Sequence, residues 1–467
     1  MPEENVLLIY PPFQWGVKER FSQPLGILIL ANALKQAGIK VTALDITGEG
    51  WLPQKIADYI SKGNFTHVGV TTITPFKELA YRILKETKKV DPTITTIVGG
   101  PHPTYLKEKI FSESKYIDVA ISGEAELDLA DIIRNPTEKF YDVSFVKNVD
   151  ESPIPDRTHV RHIQYNELAG IWMDDTASMM WARGCPWRKC RFCSRNELTL
   201  HYRQRSPEKI IEEIAIIQNE LKYKNILVVD DSLKFSSKYI KKILRSKIKE
   251  GLDIPFWALA RADHIDEEGA RLMKRAGCSG IQVGLESVVP RIIDMYKKTS
   301  TDPKLWRRKL DSAFELCNKN DIIVIASFIL GAPTETREEI QSTVDYCRTS
   351  KLDIAQTFPF QFVVGSEMWM EAIEEGYIKS NQFYTYNDKQ FGTTEYTTKE
   401  LFEFALDAEN QINSPIYNPG RYIRLVRKFI KQKKWSVIAH NITRIPTILK
   451  NLLLEHPYEN IPEDLYA

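Results

Sequence analysis

Hydrophobic and polar positions follow two alternating patterns along the first 140 residues. Short runs rich in Val, Ile and Thr are followed by longer segments whose apolar residues recur at helical spacing. The runs cover residues 6–10, 40–46, 67–73, 95–100 and 118–123, and the clearest helical segments cover 25–36, 76–90 and 125–134. Strands that alternate with helices in this way predict an α/β fold with a Rossmann-like, doubly wound parallel sheet.

The same alternation returns later in the chain, after a segment in which the periodicity fades. Six further runs, each followed by a helical segment, cover residues 178–182, 225–229, 256–260, 280–285, 322–330 and 354–360. Such repeated units predict a partial (β/α)6 barrel, with an active site at the carboxyl ends of its strands. We therefore expect four regions, namely an amino-terminal domain at 1–140, a linker at 141–177, the barrel at 178–365 and a mostly helical domain at 366–467.

Composition narrows the class of protein without changing this picture. The 63 basic residues nearly balance the 62 acidic residues, so no overall positive field favours nucleic acid. Residues 1–4 lack the basic and apolar regions of a signal peptide, and no run of about eighteen apolar residues predicts a transmembrane helix. Together with a cluster of free thiols, these features predict a cytoplasmic protein.

Three of the six cysteines lie within nine residues, at Cys185, Cys190 and Cys193. This Cys-x4-Cys-x2-Cys spacing is typical of a loop that binds an iron–sulfur cluster, and three thiolates would leave one iron of a [4Fe–4S] cluster open to an exchangeable ligand. A disulfide or a structural zinc loop is the alternative, although a closed zinc site needs a fourth ligand. The other cysteines stand alone in apolar segments and are expected to be buried; they are Cys278, Cys317 and Cys347.

The predicted strands of the amino-terminal domain end in small, hydroxyl-bearing or proline residues. Ligands of doubly wound sheets bind at these ends, and such residues allow a flat, bulky ligand to approach the backbone. No Gly-x-Gly-x-x-Gly segment follows the first strand, which argues against a nicotinamide or flavin dinucleotide. The candidate cofactor-binding residues of this domain are Pro12, Thr72, Thr74, Gly99, Gly100, His102, Gly123 and Glu124.

Charged and small residues also follow the predicted barrel strands. Carboxylates at Asp230 and Glu286 can bind an ammonium group or ribose hydroxyls, whereas Arg261 can pair with a carboxylate. An ordinary salt bridge or helix cap explains any one of these residues equally well, and only their common position at strand ends indicates a site. The candidate set comprises Asp230, Arg261, Gly284, Glu286 and Ser287.

Several ordered motifs resemble those of radical S-adenosylmethionine (SAM) enzymes, and more narrowly their cobalamin-binding, class B methyltransferase-like members. In the barrel region the matching segments are 183–186 with Cys190 and Cys193, 280–287 and 328–336. The segment 280–287 resembles the family's Gly-x-Ile-x-Gly-x-x-Glu pattern, with Gln282 in place of isoleucine. Residues 24–26, 98–103 and 123–126 resemble the cobalamin domain of the same group. The family's usual Cys-x3-Cys-x2-Cys spacing is one residue shorter than the spacing in this chain.

The resemblance implies three cofactors and a reaction. The cofactors are a [4Fe–4S] cluster on Cys185, Cys190 and Cys193, SAM at Asp230, Arg261 and Glu286, and cobalamin in the amino-terminal domain. The implied enzyme methylates an unactivated carbon through a 5′-deoxyadenosyl radical and methylcobalamin, with an external electron donor such as flavodoxin or ferredoxin. Because the Asp-x-His-x-x-Gly motif of many cobalamin proteins is missing, the resemblance implies cobalamin without a histidine ligand, and His102 is expected near the corrin edge or in a structural role.

Two other functions stay open at this point. The same cofactors can serve a radical cyclisation or rearrangement without methyl transfer, and a non-catalytic cobalamin carrier or sensor could retain the cluster. The expected substrate is a protein side chain, a lipid or a small metabolite.

Basic residues crowd a segment near the carboxyl terminus and are followed by apolar residues. This pattern is typical of a helical region that docks on anionic lipid headgroups or on an acidic protein, or whose basic face is solvated. The basic residues are Arg421, Arg424, Arg427, Lys428, Lys431, Lys433 and Lys434. Before them, the aromatic segment 383–386 is a candidate to line or cover the barrel mouth.

Overall fold

The computed structural model describes residues 4–14, 18, 20–168, 170–194 and 201–440. These residues form two compact units. The first unit contains residues 4–167, 175–183 and 201–223, and the second contains 168–174, 184–194 and 224–440. The first unit thus begins with the predicted amino-terminal domain and continues past residue 140; the domain boundaries inferred from the sequence stay predictions.

A parallel sheet forms the centre of the first unit. Its strands are β1 Asn5–Tyr10, β2 Lys40–Asp45, β3 His67–Thr71, β4 Thr95–Gly99, β5 Val119–Ser122 and β6 Phe140–Asp142. Their order is β2-β1-β3-β4-β5-β6, so the direction of winding reverses at β1. This topology confirms the predicted doubly wound sheet, and it places the switch point at the carboxyl ends of β1 and β3. Strand β6 was absent from the prediction because only three residues pair there.

Helices cover both faces of this sheet, as the sequence pattern requires. They are α1 Leu25–Gln36, α2 Ile46–Glu49, α3 Pro53–Gly63, α4 Lys77–Val90, α5 Pro101–Leu106 and α6 Leu129–Arg134. Successive side chains of a strand point to opposite faces. In β1, Leu7 and Ile9 accordingly join one apolar core, whereas Val6 and Leu8 join the other. Each fully buried aliphatic side chain of this kind contributes roughly 1.5–3 kcal/mol, so the two cores hold the strand ends in place.

Short strands and one helix complete the ordered elements before the second sheet. The strands are β7 Glu167–Leu168, β8 Ile171–Trp172, β9 Thr176–Met179, β10 Ala182–Arg183 and β11 Arg203–Gln204, and the helix is α7 Pro207–Ala215. Strands β10 and β11 pair antiparallel. As predicted, Ser206 caps α7, where its hydroxyl accepts from the Lys209 amide at 3.3 Å, and Pro207 follows at the first helical position.

Five parallel strands of the second unit lie side by side in chain order. They are β12 Asn225–Leu233, β13 Phe256–Ala260, β14 Cys278–Glu286, β15 Ile323–Leu330 and β16 Ile354–Pro359. The helices between and after them are α8 Lys238–Lys249, α9 Glu267–Arg275, α10 Pro290–Met295, α11 Trp306–Lys319 and α12 Arg337–Thr349. Five of the six predicted β/α repeats are confirmed here, and their parallel direction gathers the carboxyl ends of these strands at one edge. The first predicted run, 178–182, overlaps only the end of β9.

Local sequence features set the ends of these helices. Thr336 and Glu339 form the predicted capping box, in which each side chain accepts from the backbone amide of the other residue. Helix α9 stops before Gly277, whose φ of +86° is favourable for glycine. These short-range rules need no tertiary context, which explains why the sequence alone predicted these ends.

The remaining described residues are mostly helical, as predicted. The elements are β17 Gln361–Val363, α13 Glu367–Glu374, β18 Tyr384–Tyr386, α14 Thr398–Asn413 and α15 Pro419–Lys431. Helix α14 covers the outer side of β16, where the Asn413 amide pairs with both backbone groups of Ala355, at 2.8 and 2.7 Å. The edge strand is thereby protected from pairing with another chain.

Short 3-10 segments join these elements, and one π-helical segment follows α7. The 3-10 segments are Thr74–Phe76, Lys107–Ser112, Ala125–Leu127, Val149–Glu151, Arg157–Val160, Ala262–His264, Pro303–Leu305 and Lys389–Phe391, and the π-helical segment is Ile216–Glu220.

Across the part of the chain that the structure describes, no helix has both the length and the apolar character needed to cross a membrane.

Candidate cluster and cofactor sites

Cys185, Cys190 and Cys193 carry free thiols and lie in the segment between β10 and β11, which we call the cysteine loop. Cys185 and Cys190 are partly buried and Cys193 is exposed, and no disulfide joins any of the six cysteines. Cys278, Cys317 and Cys347 are buried, as predicted from their apolar surroundings. Among the described residues, no three His, Cys, Asp or Glu side chains converge closely enough to hold a single metal ion. The six free thiols show that the disulfide interpretation is wrong for this structure.

The three loop thiols lie within electrostatic range of one another and of two buried cations. Burial raises the pKa of the Cys190 thiol, and the charges of Lys298 and Arg261 oppose that rise. Cys193 interacts with both Cys190 and Cys185. Three thiolates near two cations match the needs of an anionic iron–sulfur cluster, whose charge must be balanced when it is partly buried.

Arg191 fixes the middle of the cysteine loop. Its backbone amide donates to the Tyr296 carbonyl at 3.0 Å, and its carbonyl accepts from the Met368 amide at 3.1 Å. Its guanidinium pairs with Glu367 at 3.1 Å and with Glu371. A residue that is held at its backbone and its side chain restricts the positions of the adjacent Cys190 and nearby Cys193.

Aromatic rings pack around the same loop. The Phe192 ring meets the Tyr296 ring edge-on at 4.8 Å, and Tyr296 stacks on Phe360 at 6.2 Å. Tyr384, from the predicted aromatic segment, lies within electrostatic range of the Cys193 thiol. The aromatic segment therefore contributes to the surroundings of the cysteine loop.

Glu286 ends β14 in an ion pair that the sequence analysis did not foresee. Its Oε1 accepts from Lys298 Nζ at 2.6 Å, and both side chains are buried. Glu286 has a φ of +62°, and a Cβ on Gly284 would lie 2.4 Å from Glu286 Oε1 and 2.9 Å from Lys298 Nζ. Gly284 thus leaves the space that the ion pair fills, and Lys298 is a candidate site residue that the sequence analysis missed.

Arg261 is almost fully engaged by neighbouring groups. Its Nε and Nη2 each donate to Asp263 at 3.0 Å, and Nη2 also donates to the Lys298 carbonyl at 2.6 Å. Its guanidinium lies 4.2 Å from the centre of the Trp187 ring. The buried Nη1 has no hydrogen-bond partner among the described residues, so one nitrogen stays free to bind the carboxylate of a ligand.

Two other predicted residues of this unit, Asp230 and Ser287, are also buried, and their roles stay predictions. Asp230 lies in β12 and is buried. The Ser287 hydroxyl is already bonded within the fold, to Thr343 Oγ1 at 3.2 Å and to the Val289 amide at 3.1 Å. Counted from Gly280, Ser287 stands where the Gly-x-Ile-x-Gly-x-x-Glu pattern has its glutamate, and Glu286 lies one position earlier.

Gly99, Gly100 and Thr72 lie at the ends of β3 and β4 in the first unit, and we call this group the glycine cradle. A Cβ on Gly99 would meet only the Ile121 carbonyl, at 4.0 Å, so the space beside it is open. Gly100 has a φ of +96°, and a Cβ there would lie 2.7 Å from Thr71 Oγ1. The buried Thr72 hydroxyl has no hydrogen-bond partner in the described chain. Open backbone at Gly99 beside an unpaired hydroxyl fits a large flat cofactor with polar edge groups, such as a corrin.

His102 is buried beside this cradle, and both of its ring nitrogens are bonded. Nδ1 lies 3.0 Å from Thr74 Oγ1, and Nε2 lies 2.9 Å from Glu113 Oε2. Although burial opposes it, hydrogen bonds from His102, Lys77 and Tyr81 lower the pKa of Glu113 to about 2. The pairing of both nitrogens agrees with the expectation that His102 is not a ligand of cobalt, and its position at a corrin edge stays a prediction.

The structure places three other predicted cofactor residues of the first unit in packed surroundings. Pro12 is buried. Gly123 has a φ of +96°, and a Cβ on it would lie 2.2 Å from the Val143 carbonyl, so protein backbone occupies the space beside it. The Glu124 carboxylate binds two arginines, Arg183 at 3.0 Å and Arg203 at 2.6 Å. The latter two residues therefore shape the protein around the cradle instead of leaving groups free for a ligand.

Most of the basic residues near the carboxyl terminus bind groups of the chain itself. Five of the seven do so within the described residues, which reduces the positive surface that the sequence indicated. Arg421 donates to the Ile412 and Cys347 carbonyls, Arg424 and Lys428 bind Asp353, Lys431 binds Asp321, and Lys434 binds Asp174. The contact with a membrane surface stays a prediction.

Two family models match the chain. The B12 binding domain matches residues 19–133, and the radical SAM superfamily matches residues 179–347. The first match contains the glycine cradle, and the second contains the cysteine loop together with Glu286 and Lys298. The two sites thus lie in the two segments that these families describe.

Curated relatives span most of the chain. An uncharacterized methyltransferase of Pyrococcus horikoshii is 28% identical over 422 residues, which are 85% of this chain and 90% of the relative. The anaerobic magnesium-protoporphyrin IX monomethyl ester cyclase of Rubrivivax gelatinosus is 26% identical over 376 residues, which are 75% of this chain and 67% of the cyclase.

Solved structures share the fold. The radical S-adenosylmethionine methyltransferase TsrM from Kitasatospora setae, with cobalamin and a [4Fe-4S] cluster bound, matches with a TM-score of 0.63 and 18% identity, over 80% of this chain and 75% of its own. The cobalamin-dependent S-adenosylmethionine radical enzyme OxsB, with aqua-cobalamin and S-adenosylmethionine bound, matches with a TM-score of 0.66 and 16% identity. The match covers 99% of this chain and 75% of the OxsB chain.

Proposed function

Because a B12 binding domain and a radical SAM domain follow each other along this chain, it belongs to the cobalamin-binding radical SAM proteins, and we propose that it is a methyltransferase. Its cofactors are a [4Fe–4S] cluster, SAM and cobalamin. The proposed reaction places a methyl group on an unactivated carbon. The observation that carries this proposal is the similarity to a methyltransferase over 85% of this chain.

Cys185, Cys190 and Cys193 would hold the cluster and leave one iron for SAM. The bound cluster supplies the electron that cleaves SAM to methionine and a 5′-deoxyadenosyl radical, and bound cobalamin supplies a carrier for the methyl group. The loop residues keep the three thiols together, and the cations Lys298 and Arg261 offset their negative charge. An external reductant such as flavodoxin or ferredoxin would deliver the electron.

The buried charges beside the cysteine loop suit the amino-acid end of SAM. Glu286 would receive the ammonium group, while Lys298 Nζ and the free Nη1 of Arg261 would receive the carboxylate. The Glu286–Lys298 pair already balances these charges before the ligand arrives. A zwitterion can exchange partners with such a pair without leaving either charge uncompensated in a buried site.

The glycine cradle would hold cobalamin without a histidine on cobalt. Gly99 would let the ligand approach the backbone, Gly100 provides the turn at positive φ beside it, and the Thr72 hydroxyl would bond to a polar edge group. His102 would act indirectly, because its two nitrogens hold Thr74 and Glu113. This role fits a corrin that is recognised mainly by shape.

Ring closure or rearrangement without methyl transfer is the second candidate function. It is favoured by the similarity to the anaerobic cyclase of Rubrivivax gelatinosus, which extends over 75% of this chain. The substrate classes that both functions share are protein side chains, lipids and small metabolites. The cytoplasmic location stays a prediction.

Counting the products of SAM separates the two functions. The holoenzyme is incubated with methyl-labelled SAM, a chemical reductant and fractionated cell extract, and the products are separated by chromatography. A methyltransferase should form about one S-adenosylhomocysteine and one 5′-deoxyadenosine for each labelled product. Sustained formation of 5′-deoxyadenosine, with a modified but unlabelled product and no S-adenosylhomocysteine, would establish the second function and reject methyl transfer.

A further inference from the structure

The cysteine loop begins and ends in a stem that carries two facing arginines. In this stem, β10 and β11 pair antiparallel, with Ala182 opposite Gln204 and Arg183 opposite Arg203. Like charges that lie directly opposite in an antiparallel pair destabilise it. Arg183 stands two positions before Cys185, and Arg203 follows the loop. An anionic group that neutralises these two arginines would therefore hold both ends of the loop together.

Glu124 binds both arginines at once. Arg203 donates two parallel hydrogen bonds to its carboxylate, from Nη1 to Oε2 at 2.6 Å and from Nη2 to Oε1 at 2.8 Å. Arg183 Nη1 lies 3.0 Å from the same Oε2. The Val146 amide also donates to Oε2, at 2.8 Å, so a third residue holds the carboxylate. Such charge-assisted, bidentate contacts are the strong ones in proteins.

Glu126 supports the same arrangement from the other side of Arg183. Its Oε1 lies 2.6 Å from Arg183 Nη1 and accepts from the Ser152 hydroxyl at 2.8 Å. Glu126 does not reach Arg203 in any contact of the described residues. Removal of its charge should therefore weaken one end of the stem, whereas removal of the Glu124 charge leaves two facing arginines without their shared anion.

Burial makes these contacts energetically important. The side chains of Glu124 and Arg183 are 9% and 10% exposed. Although burial opposes it, the ion pairs with Arg203 and Arg183 keep the pKa of Glu124 below its usual range. The backbone of the preceding Gly123 is also held, because its amide donates to Thr104 Oγ1 at 3.0 Å. Glu124 is consequently fixed in position on the backbone side and on the carboxylate side.

We propose that Glu124, which the sequence analysis placed in the candidate cofactor set, is a positioning residue for the cysteine loop and not a contact of the corrin. It holds the arginine that precedes Cys185 beside the arginine that follows the loop, and so sets the geometry in which the loop receives its cluster. This inference rests on the proposed function only in that the loop binds a cluster.

This role is tested by measuring both the cluster content and the corrin content of the holoenzyme and its variants. Wild type and Glu124→Gln are purified without oxygen from cells given cobalamin, and iron, sulfide and corrin are counted per chain. Loss of the shared anion should lower cluster occupancy on the order of tenfold, since it breaks two buried ion pairs. Corrin content should stay within about twofold, because sites without shared partners respond independently. Glu138→Gln removes an exposed carboxylate and should change neither count.

A second substitution gives a result that a general structural role would not produce. Adding Arg203→Gln to Glu124→Gln removes one of the facing arginines, so the repulsion disappears and cluster occupancy should recover in part. The electron paramagnetic resonance spectrum of the reduced cluster with SAM should recover with it. Glu126→Gln should lower cluster occupancy less than Glu124→Gln. If Glu124→Gln does not fold, the cluster and corrin contents are measured in Glu126→Gln instead.

The outcomes separate this inference from the proposed function. If Glu124→Gln loads its cluster like wild type, or loses corrin while it keeps the cluster, Glu124 is not a positioning residue of the loop. An additive or greater loss in the double variant also overturns the inference. If wild type itself binds no cluster, the proposed function fails instead, whatever the variants do.

Discussion

The two candidate cofactor sites differ in the chemical groups that form them. The site in the second unit consists of buried charges that are already paired, with Lys298 on Glu286 and Asp263 on Arg261. The cradle in the first unit consists of glycine backbone and one unpaired hydroxyl, at Gly99, Gly100 and Thr72. Paired charges recognise a zwitterion by exchange of partners, whereas open backbone recognises a large flat ligand by shape.

This difference decides how each site can be broken. A charged site depends on single side chains, so replacement of one side chain should abolish one function and leave the fold intact. A site made of backbone has no such side chain, and it is broken by adding an atom. The charged site is therefore tested by removal of a side chain, and the glycine cradle by addition of a methyl group.

The largest effect is expected from the cysteine loop. Cys193→Ala should remove the [4Fe–4S] cluster, so that iron falls from about four atoms per chain to less than about one. Corrin content should not change. Cys317→Ala removes a buried thiol outside the loop and should keep the full iron content, at a modest cost in stability. Iron and acid-labile sulfide analysis of the two variants checks this, and an intact cluster in Cys193→Ala would contradict the assignment.

Lys298→Met should weaken the binding of SAM on the order of tenfold or more, because Glu286 is left as a buried charge without its partner. Lys297→Met is the control, since Lys297 is exposed and pairs with Glu367 instead. Equilibrium binding of SAM to anaerobic protein with equal iron content measures the effect. Equal affinities for the two variants would remove Lys298 from the site.

An added methyl group tests the backbone cradle. Gly100→Ala places a Cβ 2.7 Å from Thr71 Oγ1 and 3.2 Å from the Thr72 amide nitrogen, so it should lower both stability and corrin affinity. Gly38→Ala also lies at positive φ, +78°, but its Cβ would meet nothing within 4 Å. The control should therefore lose about 1 kcal/mol of stability without loss of corrin. Corrin retained in Gly100→Ala at the level of Gly38→Ala would place the ligand elsewhere.

The smallest effect concerns Glu335, a buried carboxyl group of the second unit that forms no ion pair with any described residue. Glu335 accepts from the amides of Gly331 and Ala332 at 2.8 and 3.0 Å, and burial raises its pKa from 4.5 to about 7. Because the folded pKa is raised, its contribution to stability is complete below pH 4.5 and is lost as the pH rises through about 7. The loss is at most about 3 kcal/mol.

Glu335→Gln removes this titration and keeps the shape of the side chain. Wild type should therefore lose more stability than the variant between pH 5 and pH 8, as measured by the difference in denaturant midpoints at each pH. Parallel stability curves for the two proteins would show that Glu335 does not titrate in this range. Glu286 differs from Glu335, because Lys298 compensates its charge.

Sequence patterns predicted those parts of the fold and site that depend on neighbours along the chain. The doubly wound sheet, the later β/α repeats, the capping box at Thr336 and the clustered cysteines all follow from short-range periodicity or spacing. The three-residue strand β6 was too short to give a pattern.

Pairing between distant residues could not be predicted in this way. Nothing in the sequence separates Lys298 from the adjacent Lys297, and only the fold brings one of them to Glu286 and the other to Glu367. Likewise, Glu124 was expected to bind a cofactor because it follows a strand, but its partners Arg183 and Arg203 come from a later part of the chain. The basic tail was overestimated as free surface for the same reason.

The central claim is that one chain carries both a corrin and an iron–sulfur cluster. The most direct measurement is the ultraviolet–visible and electron paramagnetic resonance spectrum of protein purified without oxygen from cells given cobalamin. We predict corrin bands together with a reducible [4Fe–4S] signal, and no nitrogen hyperfine splitting from a lower ligand of cobalt. A cluster without corrin would contradict the account and rule out methyl transfer through cobalt, and nitrogen splitting would overturn the histidine-free cradle.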